Sequence, residues 1–276
     1  VVKDLAGTGY VAVSLFFVLS GFILTYAYCG PGAPRVAPRA FYADRFARIY
    51  PVYALSLLLA APFFLAGALH GRGIARTAVE AGAVATLVQA HVPSLALSWN
   101  PPAWSLSVEF FFYFLFPFLL GPIGRLSRAR QAVLIASLFA LSIAPSLIYC
   151  IVNPMPFAAL TAIDHTYWQA LESGGWVAVL NFNPLFRLPE FVSGIALGWL
   201  FLSRRTDSRN HGLDWAAGIS AAALLVFLAV PNLLPYPVVH NGVLLPAWCV
   251  LIYSLAGSKL FERLLSWKAL IVLGEA

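Results

Sequence analysis

The stretch Trp104–Pro117, WSLSVEFFFYFLFP, decides how the rest of the chain is read. It is an apolar run with one carboxylate, Glu109, near its start. An ionised carboxylate in hydrocarbon costs roughly 2.5–3.5 kcal/mol on insertion scales, so a segment that only had to span would carry Leu there. On a helix Ser105, Glu109 and Tyr113 recur every fourth residue and share one face, while Phe110, Phe111, Phe114 and Leu115 fall elsewhere. The polar stripe is expected to face protein or water. Two roles fit it: an interhelical hydrogen bond that locks packing, or a functional intramembrane carboxylate.

The surrounding chain has the same character. It is 276 residues long, 61% hydrophobic and 10% charged, with a mean hydropathy of +0.83. A soluble domain carries roughly 25% charged residues. The fold expected is all-α: a polytopic transmembrane helix bundle of about eight ~20-residue spans, plus one segment that re-enters, forming a single domain over residues 1–276. The eight Trp and 14% aromatic content suit interfacial belts, and the bilayer is the first partner implied. The net charge of +6 sits in Arg-rich loops, where it sets topology. Basic and aromatic residues do not interleave in any soluble segment, which excludes nucleic-acid binding. Cys29, Cys150 and Cys249 are far apart and read as inert thiols, and no metal-ligand spacing occurs. The chain opens VVKDLAGTGY and closes LIVLGEA within an apolar run, so both ends are expected to be cut from a longer protein.

Taken in order, Tyr10–Tyr28 supplies the first span, nineteen residues that at 1.5 Å each cross a ~30 Å hydrocarbon core. Ser14, Val18, Gly21, Thr25 and Tyr28 fall on one side of it, a small and polar face suited to close packing. FYADRFARIYPVY (41–53) then brings Arg45 and Arg48 onto one face, after Arg35 and Arg39 in a Pro/Gly loop. Arginines at a membrane edge argue for the cytoplasmic side; they also offer fork-like donors that match phosphate oxygens. Pro51 is expected to break or kink the start of the next span, which runs to about Leu69. Residues 78–92 are apolar but short, and carry Glu80, Gln89 and His91. The alternation of Arg-rich loops requires this segment not to cross fully. Further spans follow at 131–152, 182–202, 213–230 and 242–257, with a last one from Ala269. Residues 153–181 read as an external loop, and His165 and His240 fall in external segments. The same charge parity puts Glu109 near the external end of its helix and Arg45 and Arg48 at the cytoplasmic edge, close to a membrane thickness apart.

Four motifs together resemble the membrane acyltransferase family 3: AVSLFFVLSGFILT (12–25), RFARIYPVY (45–53), WSLSVEFFFYFLFP (104–117) and NPLFRLPEFVSGIALG (183–198). Any one could be hydrophobic coincidence; four in order over most of the chain are specific. The resemblance implies a multi-pass protein of the bacterial cytoplasmic (inner) membrane. Such a protein moves an acyl group, commonly acetyl, from acyl-CoA to a hydroxyl of a surface carbohydrate such as a polysaccharide or lipopolysaccharide. It makes acyl-CoA a donor substrate, with no bound cofactor. It further implies that Arg45 and Arg48 face the CoA, that Glu109 is the acidic position of its helix, and that Arg187 and Glu190, three apart, can pair. The family's first helix, with an Arg and a His ten residues later, has no counterpart here, and His70, His91, His165, His211 and His240 do not match it. Glu109 is therefore the catalytic candidate, or the group that orients one. Acyl transfer also needs donors for the developing oxyanion, which Trp104, Ser105, Tyr113 or the Asn100 amide can supply; Trp104, Ser105, Tyr113, Arg187 and Glu190 are the expected acceptor or cavity-lining set. Two rivals are a transporter or flippase-like protein, for which intramembrane charge speaks and the lack of inverted repeats speaks against, and an inactive remnant of the family.

Overall fold

The computed structural model describes residues 10–30, 37–67, 73–153, 175–204, 211–230 and 234–268. Among these the chain is helical, without strands. In chain order the helices are α1 Val11–Cys29, α2 Pro38–Gly67, α3 Ile74–Ala85, α4 Trp104–Gly124, α5 Arg128–Val152, α6 Trp176–Phe182, α7 Pro184–Leu202, α8 His211–Ala229, α9 Tyr236–His240, α10 Leu245–Gly257 and α11 Lys259–Leu265. Among the described residues seven helical stretches are long and apolar enough to cross a membrane, two of them assembled from the consecutive pairs α6–α7 and α9–α10. The span expected from Ala269, and most of the external loop with His165, lie outside the described residues.

The bundle is built around α7. Asn183 caps it, its Oδ1 accepting from the Leu185 N–H at 3.0 Å, and Pro184 occupies the first turn, where its missing donor costs nothing. Residues Phe191 to Gly198 are buried without interruption, because α1, α4, α5 and α10 all pack on this helix. Its closest neighbour is α1. A Cβ on Gly21 would stand 2.2 Å from the Phe191 carbonyl oxygen, and one on Gly194 would stand 2.1 Å from the Val18 oxygen. Glycine is required where two backbones touch, and small-residue faces of this kind hold membrane helices together by packing. Of the face read from sequence, Ser14, Val18, Gly21 and Thr25 are buried and Tyr28 is half-buried.

The helix α2 departs from expectation. Pro51 does not break it; the helix runs unbroken from Pro38 to Gly67 through both Pro51 and Pro62. Proline is tolerated inside such helices because neighbours re-satisfy the freed backbone groups. At thirty residues it is about 45 Å long, well beyond a ~30 Å core.

The short apolar segment stops early, as charge parity required. Helix α3 has twelve residues, about 18 Å, and dissolves into single 3-10 turns at Gln89–His91, Pro93–Leu95 and Pro101–Ala103. Its open carbonyls find side-chain donors. Tyr53 Oη donates to Val84 O at 2.6 Å, Tyr50 Oη to Ala85 O at 3.1 Å and Ser107 Oγ to Leu87 O at 2.6 Å. These bonds tie the irregular stretch to α2 and α4, which satisfies the condition for non-helical backbone at membrane depth.

Candidate functional site

A cavity of about 680 Å³ lies between α1, α2, α4 and the turn before α4. Helix α4 contributes Ser105, Glu109 and Tyr113, the stripe read from the opening stretch; α2 contributes Arg45 and Arg48. Most of the remaining wall is apolar, with Phe16, Leu19 and Ile23 from α1 and Val52 from α2. Phe16, Ile23 and Val52 are also among the exposed apolar side chains.

Glu109 is the cavity's carboxylate and is 4% exposed. It accepts from the Tyr113 hydroxyl one turn along and from Ser20 Oγ of α1 at 3.4 Å. Both Arg45 and Arg48 act on it electrostatically. The Arg45 guanidinium carbon stands 5.9 Å from the Tyr113 ring centre and 5.8 Å from that of Phe41, distances at which an arginine is attracted to an aromatic face. Its Nε is buried without a hydrogen-bond partner. Among the described residues neither Arg45 nor Arg48 forms an ion pair.

This geometry corrects the separation inferred from charge parity. Glu109 and the two arginines are not a membrane thickness apart; they line one cavity. Arg45 lies about two turns inside the long helix α2, and Glu109 more than a turn inside α4. The helices run antiparallel, Arg45 meeting Tyr113 and Ser56 meeting Asn100, so both sets of groups move inward to a common level.

Trp104, Arg187 and Glu190 are not among the residues lining this cavity. Trp104 is in the core, edge-on to Phe17 and beside Phe182 and His240. Arg187 and Glu190 do pair, at 2.9 Å, but both are fully buried behind α1 rather than set at a membrane face. Glu190 also accepts from Ser14 Oγ at 2.7 Å. Arg187 donates to the His240 carbonyl and to Asn241 Oδ1, and Asn241 Nδ2 in turn donates to Asn181 Oδ1 at 2.9 Å. The reason is geometric: on α7 these side chains point at the α1 and α9 interfaces, whereas the cavity lies beyond α1 and α4.

His240 is the residue that sequence reasoning missed. Expected in an external segment, it is buried, stacked on Tyr10 at 5.6 Å and flanked by Tyr236. The available signal was the aromatic and polar run YPVVHN before the final span. His91, by contrast, is exposed; its ring meets the edge of Phe111 and its carbonyl accepts from Asn183 Nδ2 at 3.4 Å. Among the described residues no group of His, Cys, Asp and Glu is arranged to hold a metal ion.

The fold is that of a multi-pass helical membrane protein, with an arginine pair and a carboxylate lining one half-open cavity. The family profile "Acyltransferase domain" of acyltransferase family 3 matches residues 2–276, so the chain belongs to that family. Among curated relatives it is 28% identical to "Acyltransferase MdmB" of Streptomyces mycarofaciens over 235 residues, 81% of this chain and 54% of that protein. It is 25% identical to "Nodulation protein 10" of Rhizobium leguminosarum bv. viciae over 266 residues, 91% of this chain and 67% of that one. A 59-residue segment is 46% identical to "Protein 2 in picA locus" of Rhizobium radiobacter, covering 21% of this chain and 31% of that protein. The chain thus spans about half the length of the first of these relatives. No solved structure matches it.

Proposed function

We propose that the protein is an O-acyltransferase of the bacterial cytoplasmic membrane. It moves an acyl group, acetyl in the simplest case, from acyl-CoA to a hydroxyl of a surface carbohydrate or related glycan. The observation that carries this reading is the meeting of two guanidiniums, unpaired among the described residues, with Glu109 in one cavity. Guanidinium forks match phosphate oxygens, so Arg45 and Arg48 hold the CoA phosphates.

Of the described residues lining the cavity, Glu109 is the one that can take a proton from an acceptor hydroxyl at neutral pH; the others are arginines, alcohols, phenols, an amide and apolar side chains. As the acceptor oxygen attacks the thioester carbon, its proton passes to Glu109. The new C–O bond forms, the C–S bond breaks, and the proton returns to the departing CoA thiolate. Tyr113 and Ser20, both donating to Glu109, hold the carboxylate in place. General-base assistance of this kind contributes about 10²–10⁴-fold.

The test is transfer from labelled acetyl-CoA to polysaccharide, with wild type beside Arg48→Ala and Arg48→Lys. Arg48→Ala is expected to weaken CoA binding at least tenfold, with Lys intermediate because a point charge lacks the bidentate fork. Full activity in Arg48→Ala removes the phosphate role.

A further inference from the structure

The cavity has a second polar end. Beyond Glu109 it is closed by Asn100, Ser105 and Ser56. Asn100 follows Trp99, whose φ of +62° is left-handed. For a bulky side chain that is a genuine outlier, and such strain persists only where the surroundings over-determine it. Here they do: Trp99 Nε1 donates to Leu57 O at 3.0 Å, and its ring stacks on Phe64 at 4.3 Å. The strained turn presents Asn100 to the cavity, its Nδ2 donating to Ser56 Oγ at 3.1 Å. Ser56 in turn donates to Tyr53 O at 2.7 Å. An amide nitrogen carries two hydrogens, so among the described residues one donor remains after the bond to Ser56.

We infer that Asn100 binds the thioester carbonyl of the acyl donor and donates to the oxygen on which negative charge develops. This deepens the proposed function and rests on its phosphate site. Length supports it. Arg45 and Ser56 lie about three turns apart on α2, about 16 Å at 1.5 Å per residue. The arm of CoA from its inner phosphorus to its sulfur has about thirteen bonds, which at the ~3.5 Å per three bonds of an extended chain is about 15 Å. With phosphates on the arginines, the arm carries the thioester to the level of Ser56 and Asn100. Acyl transfer needs a base for the attacking hydroxyl and a donor for the developing oxyanion, and Glu109 and Asn100 line the same cavity.

The experiment is isotope-edited infrared spectroscopy of acetyl-CoA, labelled with carbon-13 at the carbonyl and bound to the full chain in detergent, with CoA affinity measured in parallel. Wild type is expected to lower the carbonyl stretch relative to free acetyl-CoA. Asn100→Asp and Asn100→Leu are expected to abolish that shift while CoA affinity changes less than about threefold. Ser56→Ala removes the bond between Asn100 and α2 but leaves the amide, and is expected to keep the shift. Where turnover is measured, Asn100→Asp is expected to lower kcat about 10²–10³-fold with KM for the donor little changed. A shift retained in both Asn100 variants, or lost equally in Ser56→Ala, overturns the assignment while leaving the phosphate site standing. Failure of wild type to bind CoA, or unchanged affinity in Arg48→Ala, overturns the phosphate site and this inference with it.

Discussion

Apart from the Arg76–Glu80 pair, whose arginine is exposed, arginine and glutamate come together in two places among the described residues, and the two places differ in what is left over. Behind α1, Arg187 and Glu190 face each other at 2.9 Å, fully buried, with Ser14, Asn241 and the His240 carbonyl taking further hydrogen bonds. In front of α1, Arg45, Arg48 and Glu109 share a cavity without forming an ion pair among the described residues. The first arrangement pairs its two charges with each other, leaving Arg187 Nε without a hydrogen-bond partner among the described residues, and does not line the cavity. The second keeps guanidinium donors in a half-open, largely apolar space, where a phosphate or carboxylate would be strongly preferred. Intramembrane charge alone therefore does not mark a site; charge that the protein leaves unpaired does.

The sharpest way to break this comparison is Arg187→Ala. It strands Glu190 and two acceptors in a dry interior, and is expected to cost about 3–5 kcal/mol of stability, read as a lowered Tm in detergent. Replacing both partners, as Arg187→Met with Glu190→Leu, should recover most of that loss. If Arg187→Ala melts with wild type, the sealed pair is not structural.

Next in size is Glu109→Gln. The amide oxygen still accepts from Tyr113, so Tm should change by less than about 1 kcal/mol in equivalent stability, while turnover falls by about 10²–10⁴-fold. A collapse of the fold instead would put Glu109 in the same class as Glu190. Arg48→Ala comes below it, with its effect on CoA affinity rather than on stability. The smallest effect belongs to Ser20→Ala. Its bond to Glu109 is long, at 3.4 Å, and its removal should alter kcat by no more than about threefold; a larger drop would make Ser20 a positioning residue of first importance.

Most of the architecture could be read from local pattern. The stripe Ser105, Glu109, Tyr113 faces the cavity, and the face Ser14, Val18, Gly21, Thr25 is buried against α7, because both follow from helical periodicity and the high cost of polar groups in lipid. The shortness of α3 followed from the alternation of charged loops. What was not legible was level. Sequence assigns Arg45 and Glu109 to particular helices but not to heights along the bundle, and the uninterrupted passage of α2 through Pro51 shifts the arginines inward relative to a helix that begins there. Burial of His240 was hidden for a related reason. A five-residue helix, α9, folds back against α5 and α6, and no periodic signal can be read from so short a piece.

The glycine contact between α1 and α7 sets a mechanical tolerance for the cavity on the other side of α1. Gly21 adjoins Ser20, and its backbone rests directly on Phe191 and Ile195. A single added methyl at that point must move α1 bodily, and with it the hydroxyl that donates to Glu109. Because α1 touches α7 backbone to backbone, with no flexible side chain between them to act as a spring, the wall bearing Ser20 is indexed to the bundle like a part against a hard stop. Helix α2, with only Phe41, Tyr53, Leu57 and Phe64 buried over its whole length, has no such stop. Of the two walls, the one that carries Ser20 is therefore the more tightly fixed to the bundle, and the one that carries the arginines the less.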